Sequence, residues 1–227
     1  MSIAQPHPRR RPNGSGPPRT AFDPDCRRCP RLAAFLDGVR QSHPAYHARP
    51  VAPVGVARPR LLVVGLAPGF HGANATGRPF TGDHAGILLY QTLHEFGFSN
   101  RPVSAHRNDG LVLTRCRITN AVKCVPPGNK PLGEEVRQCS TFLQQELRAL
   151  PAGAVVLALG AIAHGAVLGA LGLKKSAHPF GHGACYSLPK GGHLLASYHC
   201  SRYNTQTGRL TPAMFRAVFR TVAELAR

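Results

Sequence analysis

The chain has 227 residues, 43% of them apolar, which is enough to bury one core and ordinary for a single α/β domain. Twenty-eight Lys and Arg against ten Asp and Glu leave a formal charge of +18, which argues for a polyanionic partner, nucleic acid above all, held through phosphate contacts. No stretch reaches the ~20 apolar residues that cross a bilayer and no hydrophobic signal core opens the chain, so no membrane association is expected, the location is read as cytoplasmic, and the seven cysteines as reduced or metal-bound.

In chain order, residues 1–20 are rich in Pro, Arg, Gly and Ser and predict a disordered basic tail, with residues 21–227 forming one domain. Cys26 and Cys29 form a C-x2-C pair at the head of a helical pattern through Leu32, Phe35, Leu36 and Val39. Residues 41–60 carry scattered Pro and Gly and read as a surface connection. The apolar run at 61–64 predicts a buried strand, and residues 65–83, GLAPGFHGANATGRPFTGD, a glycine-rich loop leading into a helix over 84–96. Its glycines let the backbone approach a ligand closely. Asp83 stands where it can cap that helix.

Strand material follows at 111–113 and 117–122, then a proline-stiffened loop over 120–131 and a helix over 134–150. A strand at 154–159, a helix at 160–171, a strand at 193–198 and a helix over 212–226 complete the pattern. Strands alternating with helices imply a parallel sheet covered on both faces, with ligands beyond the carboxyl ends of its strands. Three loops meet that description: 65–83, 120–131 and 199–207. Cys124 and Cys139 complete a set of four thiols that suits zinc or an iron–sulfur cluster; as isolated residues they read equally as small buried hydrophobes. Cys116, Cys185 and Cys200 have no paired spacing and are read as core or incidental.

GLAPG with HG, then TGRPFTGD, ITNAVKCVPPGNKP and SYHxS with a downstream NTxTGRLT together resemble the uracil-DNA glycosylase superfamily over residues 23–215, most closely its iron–sulfur-containing family 5, or type B, with family 4 a near relative. The resemblance implies a three-layer α/β/α sandwich around a central, mainly parallel four-stranded sheet. It further implies a structural 4Fe-4S cluster on Cys26, Cys29, Cys124 and Cys139, in preference to zinc. The implied activity is base-excision repair: uracil is flipped out of DNA and its N-glycosidic bond hydrolysed, with hypoxanthine and ethenocytosine as further substrates, by a monomer working at the nucleoid. A noncatalytic, damaged-DNA-binding iron–sulfur protein is the alternative.

The chemistry assigns roles on the three loops. Phe80 can stack on an extruded pyrimidine, and the Asn120 amide offers a donor and an acceptor to uracil O4 and N3–H, a pattern that cytosine reverses. Gly65 and Ala67 of the GLAPG run are counted among the substrate-binding positions. His199 can donate to the base as negative charge grows on it. A carboxylate should steady the cationic sugar and orient water, as in glycoside hydrolysis generally. Family 4 carries a Glu where this chain has Gly72, so the resemblance shifts the role to Asp83, with His71 and Asn74 as further candidates for holding water. The final motif lacks the prolines of its relatives and is expected to be less rigid. It places Tyr203 where a side chain can wedge into the duplex, with Arg202 and Arg209 on phosphates.

Overall fold

A computed structural model describes residues 22–227; the tail expected over 1–20 lies outside the described residues. Four strands form a parallel core: β2 (Leu61–Gly65), β3 (Cys116–Asn120), β4 (Val155–Leu159) and β6 (His193–Ser197). Two short antiparallel strands extend it, β1 (Val54–Gly55) beside β3 and β5 (Cys185–Ser187) beside β6, giving the order β1-β3-β2-β4-β6-β5. Neither edge strand has an apolar run long enough to show in the sequence.

The helices are α1 (Pro30–Ser42), α2 (Ala73–Thr76), α3 (His84–Glu95), α4 (Gly133–Arg148), α5 (Ala161–Leu171), α6 (Arg202–Gln206) and α7 (Pro212–Leu225). They form the outer layers. In β2, Leu61 and Val63 face one way, onto Leu89 and Leu93 of α3 and Phe215 and Phe219 of α7. Leu62 and Val64 face the other way, onto Leu143 and Leu147 of α4 and Ala163 and Val167 of α5. A strand buried on both faces must be apolar at every position, which is why 61–64 and 155–159 read as continuous runs. A third, smaller cluster joins α1 to the cysteine-bearing part of α4 through Leu32, Leu36, Phe142 and Val125.

Three expectations change in detail. Residues 111–113 form no strand; Leu113 makes one isolated antiparallel bridge to Ser99. The loop after β2 contains α2, closed by Gly77 at φ +74°. The segment after β6 is not all loop: it contains α6, whose start Ser201 Oγ caps by accepting from the Asn204 N–H.

Candidate active site

The carboxyl ends of β2, β3 and β6 open onto a cavity of about 280 Å³, lined among others by Ala67, Phe80, Asp83, Asn120, His199 and Arg202. The ladder sets its floor: Gly65, the last residue of β2, pairs in register with Asn120, the last of β3. A Cβ on Gly65 would overlap Asn120 Oδ1 and sit 2.6 Å from Phe80 Cζ, so only glycine lets the amide and the ring close on each other. Asn120 Oδ1 is buried and has no hydrogen-bond partner. Leaving such an atom unpaired costs about 1–3 kcal/mol, a debt that a bound donor would remove.

Phe80 is buried although its backbone is left-handed at φ +54°. Holding a bulky residue there costs on the order of 1–3 kcal/mol and requires support on both sides. Tyr90 Oη donates to the Pro79 carbonyl at 2.8 Å, and buried Arg78 grips both oxygens of Asp109 at 2.9 and 2.6 Å. The Arg78 guanidinium holds the Asp109 carboxyl far below the usual carboxylate range. On its other side the Phe80 ring stacks on the His199 imidazole, 5.9 Å between centroids and 27° between planes. Burial lowers the His199 pKa to about 4, so its ring is neutral at pH 7 and one nitrogen carries a hydrogen to donate. Asn204 Nδ2 donates to the His199 carbonyl at 2.8 Å and fixes that segment.

Asp83 is a helix cap and a cavity residue at once. Its Oδ1 accepts from the Gly86 N–H at 2.9 Å at the start of α3. A Cβ on Gly72 would lie 2.7 Å from Oδ2, so the bare backbone at 72 gives that oxygen its room. Burial raises the Asp83 pKa, opposed by the Gly86 N–H and the His84 charge. The cavity therefore combines an aromatic plate, an unpaired carboxamide, a neutral imidazole and a carboxylate.

Residues 52–223 match the family model described as the uracil DNA glycosylase superfamily. The chain is 52% identical over 206 residues to a type-5 uracil-DNA glycosylase of Thermus thermophilus, covering 88% of this chain and 94% of that one. It is 45% identical over 203 residues to the type-5 uracil-DNA glycosylase of Pyrobaculum aerophilum, 88% of each chain, and 44% identical over 209 residues to that of Mycobacterium tuberculosis, 88% and 78%. The chain belongs to the uracil-DNA glycosylase superfamily.

Within this superfamily member, two expected site residues stand apart from the cavity. His71 is exposed and its Nδ1 pairs with the Tyr46 hydroxyl at 2.8 Å; Asn74 is fully buried, donates from Nδ2 to the Phe70 carbonyl at 3.3 Å, and keeps an unpartnered Oδ1. Of the surface residues expected to meet DNA, Arg202 lines the cavity mouth, Tyr203 is 69% exposed, and Arg209 lies 4.8 Å over the Tyr198 ring.

Cys26, Cys29, Cys124 and Cys139 line one small cavity of about 20 Å³ between α1 and α4. The Lys123 N–H donates to Cys139 Sγ at 3.3 Å and Arg28 Nε to Cys26 Sγ at 3.4 Å. Burial, reinforced by Cys139, pushes the Cys29 thiol up to about 11 and Cys124 up to about 12. As placed, no group of three or more His, Cys, Asp or Glu among the described residues could hold a single metal ion. Cys116 and Cys200 are buried and Cys185 is exposed.

Lys123 lies in the proline-stiffened loop over 120–131, where little in its position marks it for burial. It is 1% exposed, and its Nζ donates to Thr119 Oγ1, to the Asn120 carbonyl at 2.9 Å and to Glu146 Oε1 at 2.6 Å. One residue thus joins the thiol cluster, through its N–H, to the backbone of the cavity amide. Only an apolar neighbourhood, Ala121 and Val122 before it and Val125 after it, signals its burial.

Proposed function

We propose that this chain removes uracil from DNA by hydrolysing the bond between N1 and the deoxyribose C1′, leaving an abasic site. The observation that carries the reading is the buried Asn120 carboxamide, its Oδ1 unpaired, lining one cavity with Phe80, His199 and the Asp83 carboxylate. Its support is the family membership and the type-5 relatives. The base leaves the stack, lies against Phe80, and meets Asn120 through O4 and N3–H; Ala67 closes the near wall and Gly65 the floor. Neutral His199 donates to a base oxygen as the N1–C1′ electron pair moves onto the ring. The Asp83 carboxylate faces the sugar cation, and water adds its oxygen to C1′ while its proton leaves towards Asp83 or solvent. Cytosine would turn its amino donor towards the Asn120 donor and leave one of them unpaired, at about 1–3 kcal/mol.

Arg202 at the cavity, with Tyr203 and Arg209 on the surface, would meet the DNA, and residues 21–227 would act as one monomeric domain in the cytoplasm. No described helix is long and apolar enough to cross a membrane. The all-thiol donor set, with N–H groups directed at two of its sulfurs, fits an iron–sulfur group, and Cys26, Cys29, Cys124 and Cys139 would hold a 4Fe-4S cluster. That group would tie α1 to α4 and take no part in bond cleavage.

The test incubates purified protein with oligonucleotides containing uracil, hypoxanthine or ethenocytosine, followed by alkali. Strand scission at uracil, reduced about 10²-fold or more in Asp83→Asn, is the expected result. Binding of uracil-containing DNA without an abasic site would make the protein a noncatalytic binder instead.

A further inference from the structure

The uracil cavity is not the only opening beside Asp83. A second cavity of about 370 Å³ lies between α3 and the segment around residues 102–104. Asp83, His84 and Arg202 line both cavities, so the two share a wall. The rest of the second surface differs in kind. Ile87 and Val103 line it while 57% and 59% exposed, beside the amide of Gln91. Two aliphatic side chains held this open to water, next to a shared carboxylate and guanidinium, ask for an occupant with an apolar face and an anionic link.

We propose that this groove is a subsite for the nucleotide next to the extruded one on the same strand. The inference rests on the uracil-excision reading. If the deoxyribose sits at Asp83 with its base in the first cavity, the strand can pass directly into the second, because Asp83, His84 and Arg202 form the wall the two share. Arg202, common to both walls, lies where the phosphate joining the two nucleotides passes. Charge favours the same occupant: Arg101, His106 and Arg107 are exposed on the adjoining segment, while its one acid, Asp109, is taken up by Arg78. Ile87 and Val103 offer the flanking base a surface without hydrogen-bonding pattern, so the subsite gives affinity and leaves sequence unread.

The test compares uracil release from three single-stranded substrates: deoxyuridine flanked on both sides, truncated at its 5′ side, and truncated at its 3′ side. In the unaltered protein, truncation on one side alone lowers kcat/KM by about tenfold, the scale of one base against a side-chain surface. In the charge-neutral double variant Ile87→Ser/Val103→Ser, whose positions are exposed and make no demand on folding, the same truncation costs less than about threefold. A variant that keeps the full truncation penalty, or an unaltered protein indifferent to both truncations, overturns the subsite. An unaltered protein that releases no uracil from any of the three overturns the excision reading itself.

Discussion

Gly69 and Gly72 flank the same carboxylate, and their contrast turns the placement of Asp83 into a measurement. A Cβ on Gly69 would stand 3.6 Å from Asp83 Oδ2, an ordinary contact. One on Gly72 would stand 2.6 Å from Asp83 Cβ and 2.7 Å from Oδ2, so Gly72→Ala moves the whole side chain until those contacts reach about 3.4 Å. A displacement approaching 1 Å at a reacting group costs on the order of 10²-fold in rate, whereas overpacking costs about 1–3 kcal/mol in stability. Gly72→Ala should therefore lower kcat on a uracil oligonucleotide by about 10- to 100-fold with KM changed little, since Phe80 and Asn120 are untouched. Gly69→Ala should stay within about threefold of the unaltered protein. Placed in a cycle with Asp83→Ala, Gly72→Ala should add almost nothing, because the group it displaces is gone. Equal losses in the two alanine variants, or full additivity in the cycle, would refute the argument that position 72 acts through the carboxylate.

The remaining expectations concern charge and metal. With the His199 pKa near 4 in the fold against about 6.5 unfolded, the unfolded chain binds the extra proton between those values; stability is complete above pH 6.5 and falls as pH drops towards 4. His199→Gln should flatten that part of a Tm-against-pH curve, and an unchanged slope would sink the assignment. Lys123→Met leaves partly buried Glu146 with only Arg117, 3.9 Å away, as its cation and should cost about 1–3 kcal/mol in urea unfolding, while Lys123→Met/Glu146→Leu should recover most of it. Cys29→Ser should lose visible absorbance, iron and acid-labile sulfide together and lower Tm; a colourless, zinc-containing parent protein would replace the cluster with zinc.

What could be read from the sequence was what depends on runs and caps. The doubly buried strands β2 and β4 announce themselves as unbroken apolar stretches, and the three loops follow from alternation. Phe80, Asn120 and His199 were reachable because each lies at or just beyond a strand end, or just before a legible helix. Asp83 reads from the sequence as a cap or a catalytic group, and the structure shows the cap on Oδ1 with the side chain also lining the cavity. Long-range contacts stayed out of reach: that Gly72 makes room for Asp83, that Tyr46 engages His71, and that Lys123 is buried all depend on elements far apart in the chain. The α6 cap is not legible because a five-residue helix is too short to show an apolar repeat after Ser201.

The pairing of Gly65 with Asn120 in the middle of the sheet has a consequence for how the molecule can move. Amides in a central ladder open to exchange only with global unfolding, whereas a five-residue helix with exposed side chains opens at far lower free energy. On the proposed function, Asn120, which would meet the base, stands at the end of a central strand, and Arg202 and Tyr203 on a short surface helix. Docking on an irregular strand would then remodel the rim and leave discrimination undisturbed.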